Sequence, residues 1–126
     1  MPDTIIFDID GTLVDSNYQH ALAWYRALRR FHLTVPLWQI HRAIGMGGDQ
    51  LITRVAGEQA EAEHGDALRK AWAEEFEPLL PEIAAFADTV PLLITVTERG
   101  LTLVLASSRA PQQAHVRLRR TDGLKR

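Results

Sequence analysis

Asp8 and Asp10 stand two residues apart where the apolar run Thr4-Ile5-Ile6-Phe7 gives way to Gly11. Side chains at i and i+2 of a strand leave the same face, so both carboxylates reach one space at its end. Charges that close oppose each other's ionisation unless a cation shares the site. Mg²⁺ suits such a site: it is a hard ion that takes oxygen ligands, commonly one or two carboxylates plus a substrate phosphate. An aspartate can also attack phosphorus and form an aspartyl-phosphate, and the metal then offsets the repulsion between two anions. A second aspartate can protonate the leaving oxygen and later activate water. The plainer reading is a pair of acids decorating a turn, and a bare D-x-D before glycine is compatible with both.

The elements that must position these residues follow from periodicity. Thr4 to Asp10 reads as a buried strand, apolar on both faces as in a parallel sheet, ended by Gly11. Tyr18, Ala21, Leu22, Tyr25, Leu28 and Arg29 recur at helical spacing and predict an amphipathic helix over residues 17–31. Pro36 suits the first turn of a second helix that carries Ile40 and Ile44 inward. Gly45-Met46-Gly47-Gly48 breaks that helix. Asp49 is a candidate cap for a third, with Leu51, Ile52 and Val55 on its inner face, and Gly57 ends it. A longer helix with Ala62, Leu68, Trp72 and Phe76 runs to Pro78. Residues 91–100 are rich in β-branched types, yet Pro91 at a first turn and Gly100 past an end favour a helix. Leu101 to Ala106 is a second buried strand, ending at Ser107-Ser108, which alone reads as a turn or a helix cap. Residues from Pro111 to about Arg119 are compatible with a helix. Trp24, Trp38 and Trp72 read as packing residues rather than ligand platforms.

The order is strand, helical block, strand: an α/β architecture with both strand ends rich in small polar or acidic residues. Ligands of open α/β sheets bind just beyond the carboxyl ends of strands, so these two ends define the expected site. The 126 residues are 46% hydrophobic and 24% charged, a globular composition that excludes disordered, collagen-like and coiled-coil classes. The apolar run from Thr89 to Thr97 is far shorter than the roughly 20 residues that cross a bilayer, so no membrane association is expected. No basic segment precedes an apolar stretch at the start, so no signal peptide is expected. With no cysteine, disulfides, thiolate metal sites and a cysteine nucleophile are excluded, and a cytoplasmic location is expected. Residues 1–108 carry a net charge of −7 and residues 109–126 a net charge of +5. The basic end has no aromatic residue to stack a base, which favours a solvated terminus over a nucleic-acid arm.

The full string Asp8-Ile9-Asp10-Gly11-Thr12-Leu13-Val14-Asp15-Ser16 resembles, at every position, the first motif of the haloacid dehalogenase-like (HAD) hydrolases. It looks most like the branch of phosphoglycolate phosphatases and β-phosphoglucomutases. The resemblance implies a partial Rossmann-like parallel-sheet core, residues 1–15 and 81–126, with a helical cap inserted over 16–80. It also implies Asp8 as nucleophile, Asp10 as general acid and base, and Mg²⁺ held by the Asp8 carboxylate and the Asp10 carbonyl. True dehalogenases of the family lack the acid at Asp10, so phosphoryl transfer to or from a small phosphorylated metabolite is expected instead. Leu105-Ala106-Ser107-Ser108 looks like the second motif, which implies Ser107 and Ser108, with Gly11 and Thr12, as phosphate ligands. The cap implies substrate contacts from His20, early in its first helix, and from Arg42 beside the Gly45–Asp49 turn, since arginine suits a second anionic group.

The resemblance runs from about Thr4 to about Ala110. The family's third motif, a lysine, and its fourth, an acidic pair after another strand, match no position in the 18 residues beyond Ser108. Lys125 and Asp122 follow no apolar run. The expectation is a truncated member, with weaker Mg²⁺ binding and an open sheet edge that can pair with another chain. Three readings follow: a Mg²⁺-dependent phosphatase, a sugar phosphomutase, and an inactive remnant that binds phosphate, Mg²⁺ or a partner chain.

Overall fold

A computed structural model describes residues 3–106. In chain order the elements are β1 (Thr4–Asp8), β2 (Val14–Asp15), α1 (Asn17–Arg30), α2 (Leu37–Ala43), α3 (Gly48–Ala56), α4 (Glu58–Phe76), a 3₁₀ segment (Glu77–Glu82), β3 (Ala84–Ala85), α5 (Thr89–Glu98) and β4 (Thr102–Ala106). They form two compact units: residues 3–16 with 83–106, and residues 17–82.

In the first unit β1 and β4 pair in parallel, in register from Thr4 opposite Thr102 to Asp8 opposite Ala106. The expectation of strands buried on both faces is corrected here: no residue of β1 or β4 is fully buried. Ile5, Phe7, Leu103 and Leu105 are half-buried on one face, while Ile6 and Val104 on the other are 68% and 41% exposed. The physical reason is the short sheet, since among the described residues it has only these two strands. The first strand also ends at Asp8, two residues earlier than its apolar run suggests, so Asp10 lies in a turn. Two short segments that sequence reading did not find, β2 and β3, pair antiparallel with Val14 opposite Ala85.

The ambiguous stretch after Pro91 is helical. Thr95 Oγ1 donates to the Pro91 carbonyl and Thr97 Oγ1 to the Leu93 carbonyl, both at 2.9 Å. These bonds satisfy the hydroxyls of residues whose branched Cβ otherwise disfavours a helix. Pro91 falls in the first turn, where its missing N–H costs nothing.

The second unit is helical. Helix α4 packs on α1 and α3, and α2 packs on both α1 and α3. Leu28, Ile40, Leu51, Ile52, Leu68 and Phe76 are fully buried, each contributing about 1.5–3 kcal/mol. His20, Trp24, Trp72 and Phe76 stack in one aromatic group, with ring centroids 4.5–5.6 Å apart. The buried face of α1 is His20, Ala21, Ala23, Trp24, Ala27 and Leu28. Tyr18, expected on that face, is 68% exposed and stacks on His41 instead. Small residues at 21, 23 and 27 let α1 approach α4 closely, and that close approach sets the face. Ala62 of α4 is likewise exposed, and Ile44 lies beyond the end of α2 and is only half-buried. Arg30 spans α1 and α4, donating to Glu74 Oε1 and Glu75 Oε1 at 2.9 Å each. The hydrogen bond to Glu74, then that to Glu75, holds its guanidinium above the usual arginine range.

Two further expectations are corrected. Asp49 does not cap α3: the helix starts at Gly48, with Asp49 in its first turn and no side-chain cap bond. An acid there still suits the positive end of the helix dipole. Trp38 is not a packing residue, since it is 56% exposed, whereas Trp24 and Trp72 are 5% and 7% exposed.

Candidate active site

The turn after β1 is built from its apolar residues inward. Ile9, Leu13 and Val14 are each about 3% exposed or less and anchor it from below. The Ile9 carbonyl accepts from the N–H groups of Thr12, Leu13 and Val14 at 2.9–3.3 Å, and the Gly11 N–H donates to the Val14 carbonyl at 2.9 Å. Gly11 sits at φ 77°, a backbone region that costs a side-chain-bearing residue about 1–2 kcal/mol. The glycine therefore permits a turn tight enough to return the chain under its own acidic residues.

A second tie holds the turn to the start of α5. Thr89, 3% exposed, donates its hydroxyl to the Leu13 carbonyl at 2.6 Å, and the Phe86 N–H donates to the same oxygen at 3.1 Å. Neither residue belongs to the motif string, and no local signal in the sequence marks either.

Within this frame Asp8 is exposed at the C-terminal end of β1, and its Oδ2 accepts from Thr12 Oγ1 at 3.2 Å. Asp10 is half-buried, and its Oδ1 accepts from Ser16 Oγ at 2.7 Å. Ser16 is fully buried. Ser16, the last residue of the motif string, is the donor that orients Asp10. The two carboxylates thus differ in setting: one open to solvent, one held from below.

The parallel register brings the end of β4 beside this turn, with Ala106 opposite Asp8. Ser107 and Ser108 follow in the sequence and lie outside the described residues, as does the expected helix from Pro111. Asp8, Asp10, Gly11 and Thr12 are therefore brought together. His20 and Arg42 belong to the helical unit. His20 is 5% exposed, its ring stacked on Phe76 and Trp72. Arg42 is exposed, with its guanidinium carbon 5.0 Å from the Trp38 ring centroid.

Asp8 and Asp10 present only oxygen donors, the preference of a hard dication such as Mg²⁺. Among the described residues no cluster of three or more His, Cys, Asp or Glu side chains forms. Among the described residues, an ion here would be held by Asp8 and Asp10.

The chain matches the haloacid dehalogenase-like hydrolases over residues 5–124. It is similar to a solved hydrolase from Pseudomonas syringae, with 34% identity and a TM-score of 0.87 over 94% of this chain and 55% of that one. Two more distant structures share the fold. One is a presumed phosphoglycolate phosphatase from Lactobacillus plantarum, at 18% identity and a TM-score of 0.83, covering 94% of this chain and 56% of that one. The other is a presumed β-phosphoglucomutase from Bacteroides vulgatus, at 23% identity and a TM-score of 0.76, covering 90% and 48%. The chain spans about half the length of these structures. No curated protein matches it. Among the described residues no helix is long and apolar enough to cross a membrane. With the match running from β1 past β4, and the acidic turn standing where those two strands end, this chain belongs to the haloacid dehalogenase-like hydrolase family.

Proposed function

We propose that this chain carries the nucleophile site of a Mg²⁺-dependent phosphatase acting on a small phosphate monoester. The observation that carries this reading is the difference between the two aspartates: Asp8 is exposed at a strand end, and Asp10 is oriented by the buried Ser16, six residues further along the chain. A nucleophile must reach phosphorus, whereas a proton carrier must hold one geometry through two steps.

In the first step an Asp8 carboxylate oxygen attacks phosphorus, and the bond from phosphorus to the ester oxygen breaks. The departing alkoxide takes the Asp10 proton. In the second step the Asp10 carboxylate accepts a proton from water as that water attacks the same phosphorus. The acyl-phosphate bond then breaks, returning Asp8 and releasing inorganic phosphate. Thr12, by donating to Asp8 Oδ2, leaves Oδ1 as the attacking atom. The N–H of Gly11 is engaged with Val14, so phosphoryl oxygens fall to the Ser107 and Ser108 hydroxyls and nearby N–H groups. Mg²⁺ held by Asp8 and the Asp10 carbonyl would draw charge from the phosphoryl oxygens.

In the helical unit, Arg42 is the candidate for an anionic substituent, because its guanidinium is exposed; the His20 ring is committed to packing. The cysteine-free sequence supports a cytoplasmic setting.

The test is hydrolysis of p-nitrophenyl phosphate by the 126-residue chain, with Mg²⁺ and with EDTA, beside Asp8→Asn. Turnover that needs both Mg²⁺ and Asp8 supports the proposal. Equal rates for the chain and its variant support the second reading instead, a remnant that keeps the motif without the activity.

A further inference from the structure

One carbonyl oxygen, that of Leu13, receives two donors from the far side of the chain: Thr89 Oγ1 at 2.6 Å and the Phe86 N–H at 3.1 Å. A single bond satisfies a buried carbonyl, whereas two donors fix its direction as well as its distance. Both donors are preorganised, because the Thr89 N–H donates to the Phe86 carbonyl at 3.0 Å and closes residues 86–89 into a turn. Thr89 is branched at Cβ, which leaves its hydroxyl few directions. It is also buried, so water does not replace the bond.

The hydrogen bonds from Thr12, Leu13 and Val14 to Ile9, from Gly11 to Val14 and from Ser16 to Asp10 run within residues 9–16 and give the acidic turn its shape. The bond from Thr89 crosses 76 positions and gives the turn its place. Helix α5 packs on β4, and β4 pairs with β1, whose last residue is Asp8. The turn is thus held at both ends, at Asp8 by the strand and at Leu13 by the helix. From Leu13 the chain reaches Ser16 through Val14 and Asp15, which are extended and paired with β3, a stretch with little slack. Ser16 then holds Asp10 Oδ1 at 2.7 Å.

We propose that Thr89 is a positioning residue for Asp10. By fixing the Leu13 carbonyl it sets where Ser16 stands, and Ser16 sets the direction in which Asp10 offers its proton. This inference rests on the phosphatase reading of the site.

The test uses the 126-residue chain with Thr89→Val, which keeps the branched shape without the hydroxyl, and Thr89→Ser, which keeps the hydroxyl. With Mg²⁺ present, kcat/KM is measured on two esters, since it covers the steps up to departure of the leaving group. Phenyl phosphate releases a phenoxide that needs a proton; p-nitrophenyl phosphate releases one that leaves with little help. Thr89→Val is expected to lower kcat/KM about tenfold for phenyl phosphate and less for p-nitrophenyl phosphate, and Thr89→Ser to retain most of both. Equal losses on the two esters, or no loss, overturn the proposal, because a residue that only supports the fold does not distinguish leaving groups. Hydrogen exchange read by mass spectrometry gives a second result without turnover. In Thr89→Val, peptides spanning residues 9–16 are expected to exchange about tenfold faster while those of α4 and β4 are unchanged. Faster exchange throughout the chain, or unchanged exchange at residues 9–16, overturns the proposal. A parent chain that hydrolyses neither ester fails the phosphatase reading, and the exchange result alone then upholds or overturns the hold of Thr89 on the turn.

Discussion

A hydroxyl bonded to a carboxylate decides which of its lone pairs remain for chemistry, and Ser16 does this for Asp10 at 2.7 Å. Hydrogen bonds to charged groups are worth about 1.5–3 kcal/mol. Ser16→Ala is therefore expected to lower kcat for a phosphate monoester by about 10- to 100-fold, while Ser16→Thr, which keeps the hydroxyl, retains most of it. Steady-state kinetics on the three proteins check this, and equal kcat for Ser16→Ala and the parent contradicts it. Asp8, Asp10 and Gly11 are singled out in the sequence by the full string from Asp8 to Ser16, and the structure gathers them in one turn. The bond from Ser16 is not legible there, since its reach back over six positions depends on a turn that only Gly11 and the Ile9 carbonyl make possible. Trp38 misled for the opposite reason: residue type predicts burial only on average, and the position of α2 decides it.

Helix α1 ends in a Schellman motif: the Leu33 N–H donates to the Leu28 carbonyl at 3.0 Å and the His32 N–H to the Arg29 carbonyl at 3.1 Å. The motif forces His32 to φ 61°, a conformation that glycine adopts freely and histidine does not. The residue is exposed. His32→Gly is accordingly expected to stabilise the helical unit by about 0.5–1 kcal/mol, the relief of strain less the greater entropy of glycine when unfolded. A rise of a few degrees in Tm checks it, and a fall contradicts it. Element types were largely legible: the helical block, the first and last strands, and the helix after Pro91 all follow from period and from proline and glycine positions. Which face of α1 is buried was not, because apolar periodicity alone ranks Tyr18 above Ala23. Close helix packing reverses that order.

At the scale of the whole chain, the order strand, helical block, strand folds as an α/β unit interrupted by a helical one. The expectation that failed here was burial of the sheet, because a strand reads as apolar on both faces whatever covers it. Ile6 and Val104 lie exposed and adjacent in register, and among the described residues β1 and β4 pair only with each other. Such edges template further pairing. The 126-residue chain is expected to show a mass that rises with concentration in light scattering, and Ile6→Lys to suppress the rise; a constant monomer mass contradicts this. The most direct measurement of the central claim is intact-mass and peptide analysis of Asp10→Asn after incubation with Mg²⁺ and p-nitrophenyl phosphate, because this variant retains the nucleophile but lacks the base that releases it. A single phosphoryl group on the peptide containing Asp8, absent from the Asp8→Asn variant, is the predicted result. An unmodified chain, or a phosphoryl group on any other peptide, contradicts it.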